Sequence, residues 1–179
     1  MGHTMIHLTS ADYTRQPWAN GRGTTTELYR QDRDGALELR LSMAVVTEDG
    51  PFSLFPGIER NLTVLSGPGF RLQGAGLELE AKPLIPISFP GDVPVRASNV
   101  TAPSDDFNVM TPRYLPRPEV RVIDGTEALP AGGLILLFSL GSAQVDGTLM
   151  PLHDLILIKT AVTVTGPLIL TRILPVLPT

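Results

Sequence analysis

Apolar and polar positions alternate with a period of two along most of the chain. Leu37, Leu39, Leu41 and Met43 are interleaved with Glu38, Arg40 and Ser42, the pattern of a strand with one face on a core and one in solvent. Leu77-Glu78-Leu79-Glu80 repeats it. Leu62-Thr63-Val64-Leu65 and Phe70-Arg71-Leu72 flank Ser66-Gly67-Pro68-Gly69, which reads as a hairpin. Pro90-Gly91-Asp92 marks another turn, between strands expected over 85–89 and 93–97. Later apolar runs predict strands over 120–123, 134–140, 155–158, 162–165 and 168–173. Helix is confined to one turn after Ser10, an N-capping residue type, and one near Asp105. Short strands at this spacing describe an antiparallel sandwich or barrel.

Composition sharpens that picture. Among 179 residues, 17 are Gly and 17 are Pro, too many for a helical bundle, a coiled coil or a doubly wound fold with long crossover helices. Hydrophobic residues make up 42% and charged ones 18%, so the chain folds rather than remaining disordered. One compact unit is expected over 1–179. The Pro-rich stretch 111–118 divides it into approximate halves, 1–112 and 113–179. Across that divide runs a weak echo: Leu62 to Gly67 followed by Gly74, against Leu136 to Gly141 followed by Gly147.

Several function classes recede on the same numbers. With no Cys there is no disulfide, zinc ribbon or thiol nucleophile, which fits a cytoplasmic setting. A net charge of -4 and 12 Arg against 2 Lys, without a basic run, argue against nucleic acid. Arg in preference to Lys suits bidentate contact with carboxylates; codon or lineage bias gives the same excess. The longest uncharged run, 128–145, contains Pro130, Gly132 and Gly133, so it reads as a buried strand and not a membrane span. The start, 1–15, lacks the basic and apolar succession of a targeting segment.

Candidate chemistry lies in a few short segments. Trp18-Ala19-Asn20-Gly21-Arg22-Gly23 precedes Thr24 to Glu27, giving a tight loop and a Thr-rich strand. No strand is expected before it and no helix after it, and it has no Lys, so it does not read as a phosphate loop. Trp18 either packs over a hairpin or meets a ligand. Gly50-Pro51-Phe52-Ser53-Leu54-Phe55-Pro56-Gly57 is a stiffened loop leading to Arg60. Arg60 shares a strand face with Leu62 and Val64, so it must be paired or solvated at the core's rim. It can hold a carboxylate, or pair with Glu59, Glu27 or Asp106. In an extended Asp105 to Met110, Asp106 and Asn108 face one way and Phe107 and Val109 the other. Asp106 can then orient an Arg, and Asn108 can offer a donor and an acceptor; turn chemistry is the alternative. Arg40 and Ser42 read most simply as a solvated outer face. His3, His7 and His153 are too few and too scattered for a metal site, and no nucleophile elbow supports a hydrolase triad.

Five of these patterns occur together and in order: W-x-N-G-x-G-x-T-x-E from Trp18 to Glu27, R-x-S-x-A from Arg40, G-P-F-S-x-F-P-G-x-x-R ending at Arg60, F-x-G-D from Phe89, and D-F-N-V-M from Asp106. Over roughly residues 5–113 the chain resembles the HutD/Ves family. The resemblance implies an all-β, cupin-like (RmlC-like) fold of antiparallel β-barrels in bicupin arrangement, with the metal-binding His of enzymatic cupins missing. It implies no metal, no cofactor and no catalytic residue, and a link to bacterial histidine utilisation through a bound intermediate such as formylglutamate. The Ves branch is associated instead with stress responses, and the motifs do not separate the two.

The leading expectation is therefore a cytoplasmic, non-catalytic protein that binds a small carboxylate and regulates or limits flux. Arg60 would hold the carboxylate, with Asn108 and Ser53 hydrogen-bonding the rest. Trp18 or Phe52 would wall the pocket, and Asp106, Arg40 and Glu27 complete the candidate set. A metal-independent isomerase or lyase using Asp106, Tyr29 or Glu27 is the enzymatic alternative. The third reading is an interaction protein, a possible homodimer joined through the apolar stretch 168–177.

Overall fold

The computed structural model describes residues 5–18, 21 and 23–175. Its regular structure is all strand, with no helix among the described residues. The first strand, β1 (Ile6–Leu8), is followed by β2 (Thr14–Pro17), β3 (Thr24–Arg33), β4 (Ala36–Val46), β5 (Gly50–Pro51) and β6 (Ile58–Ser66). Next come β7 (Phe70–Gly74), β8 (Leu77–Ala81), β9 (Ile87–Pro90), β10 (Arg96–Ser98) and β11 (Ser104–Pro112). The remainder holds β12 (Glu119–Ile123), β13 (Thr126–Leu129), β14 (Leu134–Ser139) and β15 (Ala143–Val145). It ends with β16 (Thr148–Met150), β17 (Leu155–Ile158), β18 (Val162–Thr165) and β19 (Leu168–Ile173).

Two compact units result: Thr14–Tyr114, and Met1–Tyr13 together with Leu115–Thr179. The first carries the sheets β2-β3-β4-β11-β6-β9 and β5-β10-β7-β8. The second carries β1-β17-β14-β19-β12 and β13-β18-β15-β16. If β4 to β11 are counted in order as eight strands, their two sheets run first-eighth-third-sixth and second-seventh-fourth-fifth; β12 to β19 give the same order. This is the double-sheet jelly-roll arrangement. The ladders end at free edges, so the expected closed barrels are instead pairs of open sheets.

That topology overturns the hairpin expected at Ser66-Gly67-Pro68-Gly69, because β6 and β7 lie in different sheets of their unit. The turn is an arch from one sheet to the other, and Pro90-Gly91-Asp92 makes a second arch between β9 and β10. Glycine is required in the first arch: a Cβ on Gly67 would sit 2.2 Å from the Pro103 carbonyl oxygen, at a φ of +85°. Local pattern identifies a turn between two strands but not whether they pair. The helical turns expected near Ser10 and Asp105 are absent. Residues 10–12 form a turn in which Asp12 accepts from the Thr9 backbone N–H at 2.8 Å, and Asp105 lies within β11.

In the Thr14–Tyr114 unit the core gathers Leu62, Val64, Phe70, Leu72, Phe89, Val95 and Ala97 between its sheets. Leu62 and Leu72 are fully buried, each contributing about 2 kcal/mol relative to exposure. In the other unit Leu137, Met150, Ile156, Val164 and Leu170 belong to the apolar interior. β19 is hydrogen-bonded on both sides, to β14 and β12, and Leu168, Ile169 and Leu170 are fully buried. The strand proposed above as an association patch is thus interior, and Leu177 lies outside the described residues. No helix among the described residues is long and apolar enough to cross a membrane.

Candidate ligand-binding site

Within the Thr14–Tyr114 unit lies a cavity of about 460 Å³. Strand register explains its lining. On β11, Asp106, Asn108 and Met110 stand opposite Ala44, Ser42 and Arg40 of β4. On the other side of β11 they stand opposite Val64, Leu62 and Arg60 of β6. Alternation sends all of these to one face, where Leu62 and Val64 enter the core while Arg60, Asp106, Asn108 and Met110 line the cavity. The loop after β5 closes the space with Phe52, Ser53 and Phe55.

Arg60 is buried, with 6% of its surface exposed. Its guanidinium carbon lies 5.2 Å from the Phe52 and Phe55 ring centres and 5.0 Å from that of Phe89. Nη1 donates to the Ser53 carbonyl oxygen at 3.2 Å, and Nη2 to Asn108 Oδ1 at 3.3 Å. Both acceptors are neutral, and buried Nε has no hydrogen-bond partner among the described residues. Burial lowers the Arg60 pKa to about 10 against the pull of Asp106, and Arg40 lowers it further, so the group is still a cation at neutral pH. Cation–π contact with desolvated rings is worth about 2 kcal/mol, less than the several kcal/mol that dehydrating a charge costs.

Asn108 links this cation to an acid. Its Nδ2 donates to Asp106 Oδ1 at 2.6 Å. Asp106 is 1% exposed, and burial raises its pKa to about 7 despite the Arg60 charge, the Asn108 hydrogen bond and the Ala44 backbone N–H. Arg40 and Glu27 form a largely buried ion pair, Nε to Oε2, at 2.7 Å. The carboxylate that Glu27 was expected to offer Arg60 is thus spent on Arg40. Ser42 is also buried, so the solvated outer face expected for Arg40 and Ser42 is in fact cavity wall. Leu39 and Leu41 are buried too: both faces of β4 are covered, and alternation by itself cannot show that.

Trp18 lines the same cavity. Its Nε1 donates to Thr25 Oγ1 at 2.8 Å, and its backbone N–H to the Gly23 carbonyl at 2.8 Å. A Cβ at Gly23 would lie 2.7 Å from the indole ring, which explains the second glycine of the Trp18 motif. Trp18 thus packs over the hairpin and lines the cavity at the same time. Ala19, Asn20 and Arg22 of that motif lie outside the described residues, as does His3.

The arch Pro90-Gly91-Asp92 secures the Phe52–Gly57 loop. Gly91 N–H donates to the Ile58 carbonyl and Phe55 N–H to that of Gly91, at 2.7 and 2.9 Å. Asp92 accepts from Gly57 N–H at 2.7 Å and from Arg113 Nη1 at 2.5 Å. Seven of the eight sequence-predicted site residues (Arg60, Asn108, Ser53, Trp18, Phe52, Asp106 and Arg40) line one cavity, and Glu27 holds Arg40 there. Sequence reasoning missed Phe55, Thr25, Ser42 and Met110 as site residues; strand parity with Glu27, Arg40 and Asn108 points to Thr25, Ser42 and Met110, whereas Phe55 lies in a loop. Ser53 contacts Arg60 through its backbone carbonyl and not its hydroxyl. Tyr29 is bonded to Gln31 at 3.1 Å and is not part of the lining.

In the second unit, His7 Nε2 lies 2.7 Å from Asp154 Oδ2. No group of three or more His, Cys, Asp or Glu side chains gathers as a metal site among the described residues.

Comparison with known proteins brings the following matches. Residues 10–165 match the model of the HutD family. A Pseudomonas putida protein named "Uncharacterized 21.2 kDa protein in hutC 3'region" is 36% identical over 144 residues, 78% of this chain and 75% of that protein. Protein Ves of Cronobacter sakazakii is 35% identical over 139 residues, 74% of this chain and 75% of its own length. The solved structure of HutD from Pseudomonas fluorescens SBW25 superposes with a TM-score of 0.88 at 30% identity, covering 96% of this chain and 98% of that one.

Proposed function

The chain belongs to the HutD family, and we propose that it is a non-catalytic binding protein whose Thr14–Tyr114 unit captures a small carboxylate. One observation carries this reading: Arg60 is a buried cation at a cavity, held by aromatic rings and two neutral carbonyls, with Nε unpartnered among the described residues. A guest carboxylate would supply the charge-assisted bonds that the protein does not. The cavity volume lies in the small-molecule range, and its mix of aromatic walls with a few convergent polar groups suits an acylated amino-acid anion.

The name of the Pseudomonas putida relative supports a guest drawn from histidine utilisation, with formylglutamate as the first to try. On this reading the protein senses or limits flux from the cytoplasm. The Ves relative matches almost as closely, so a Ves-type stress role is the alternative biological setting for the same pocket. The recurrence of one eight-strand order in both units supports a bicupin arrangement.

Calorimetry with formylglutamate tests the assignment. Arg60→Ala is expected to weaken binding by about 2–5 kcal/mol, the range for truncating one partner of a buried charge pair. Arg60→Lys would restore only part, lacking the planar fork. Equal heats for wild type and Arg60→Ala, or none for either, would overturn it. A second reading, a metal-independent isomerase or lyase, is favoured by Asp106, whose pKa near 7 suits a general base. Formylglutamate recovered unchanged after prolonged incubation, followed by NMR, would exclude that reading for this compound.

A further inference from the structure

The charged groups at the cavity do not balance once an anionic guest is added. Asp106 is under the charge of Arg60 from β6 and of Asp105 beside it on β11; Arg40 of β4 and Glu27 of β3 stand farther along the same face, Arg40 opposite Met110 and Glu27 opposite Ser42. Arg40 is already matched by Glu27. Among the described residues that leaves one cation, Arg60, for one protein carboxylate, Asp106, with Asn108 between them. A guest carboxylate on Arg60 would put two buried anions against one cation, an arrangement that low-dielectric surroundings penalise heavily.

We propose that an anion entering this cavity is bound together with one proton, taken up from solvent by Asp106. The proposal rests on the carboxylate-binding reading of the same cavity and adds its regulation by pH. The hydrogen bonds orient the group that takes the proton. Arg60 has only donors, so Asn108 must turn its carbonyl toward Arg60 and its NH₂ toward Asp106. Asp106 Oδ1 therefore accepts from Asn108 in either protonation state. Burial already holds the carboxyl of the free protein near neutrality, at about 7, so little further perturbation protonates it. Affinity is then constant where Asp106 is already protonated, and falls about tenfold per pH unit above that range.

Calorimetry with formylglutamate at pH 6 and pH 8, each in buffers of different ionisation enthalpy, counts the protons directly. The expected result is uptake of about one proton per guest at pH 8 and about a tenth of that at pH 6. Asp106→Asn is expected to show no uptake at either pH and to bind about tenfold more tightly than wild type at pH 8. Binding at pH 8 with heats independent of buffer would overturn the proposal and leave carboxylate binding intact; it would mean that an ionised Asp106 accepts a guest N–H. Uptake persisting in Asp106→Asn would overturn it equally. No binding at either pH would overturn both this proposal and the reading on which it rests.

Discussion

Replacing Asp106 by Asn removes an ionisable group from the wholly buried part of the cavity while keeping its shape. The Asn side-chain carbonyl can still accept from Asn108 Nδ2, so the bond at 2.6 Å has a successor. In the folded protein the Asp106 pKa is raised from 3.8 to about 7. The sign follows from proton counts: between those values the native state holds a proton that the unfolded chain has released. Unfolding stability from this group is fully present below pH 3.8 and is lost as pH rises through about 7. At 1.36 kcal/mol per unit the whole loss is about 4 kcal/mol, of which roughly 2–3 kcal/mol falls between pH 5 and pH 8. Urea denaturation of wild type and Asp106→Asn at both pH values isolates it, because the other carboxylates are common to the two proteins. The variant is expected to gain on wild type by roughly 2–3 kcal/mol between pH 5 and pH 8. A stability difference that does not change with pH would refute the argument.

Two other perturbations probe the cavity's walls. Gly23→Ala would place a methyl 2.7 Å from the indole of Trp18, the chain's single Trp; the ring must move, so emission should shift to the red and formylglutamate binding weaken, and unchanged emission would contradict the close packing. Asp92→Ala would free the Gly57 N–H and Arg113; faster hydrogen exchange at Gly57 and looser guest binding are expected, whereas an unaltered Gly57 amide would show that the arch does not secure the loop.

Much of this site was legible because period-two alternation survives in the strands that form it. Arg60 with Leu62 and Val64, and Asp106 with Asn108, share faces as their spacing requires. Alternation fails where information is not local. It cannot report that β6 and β7 belong to different sheets, because Ser66-Gly67-Pro68-Gly69 suits an arch as well as a hairpin. It cannot show that the Arg40 and Ser42 face is covered, since buried polar residues look like solvated ones until their partners are known. The Arg40–Glu27 pair joins residues thirteen apart across a bulge in the β3–β4 ladder. Phe55 and Phe89 meet over Arg60 only because the Gly91 arch brings β9 back to the loop after β5.

The most direct measurement of the central claim is a crystal structure of the protein with formylglutamate. A guest carboxylate oxygen should lie within hydrogen-bond distance of Arg60 Nε, the buried donor that no group among the described residues satisfies. A guest bound elsewhere, or one that occupies the cavity and leaves Nε without a partner, would contradict it.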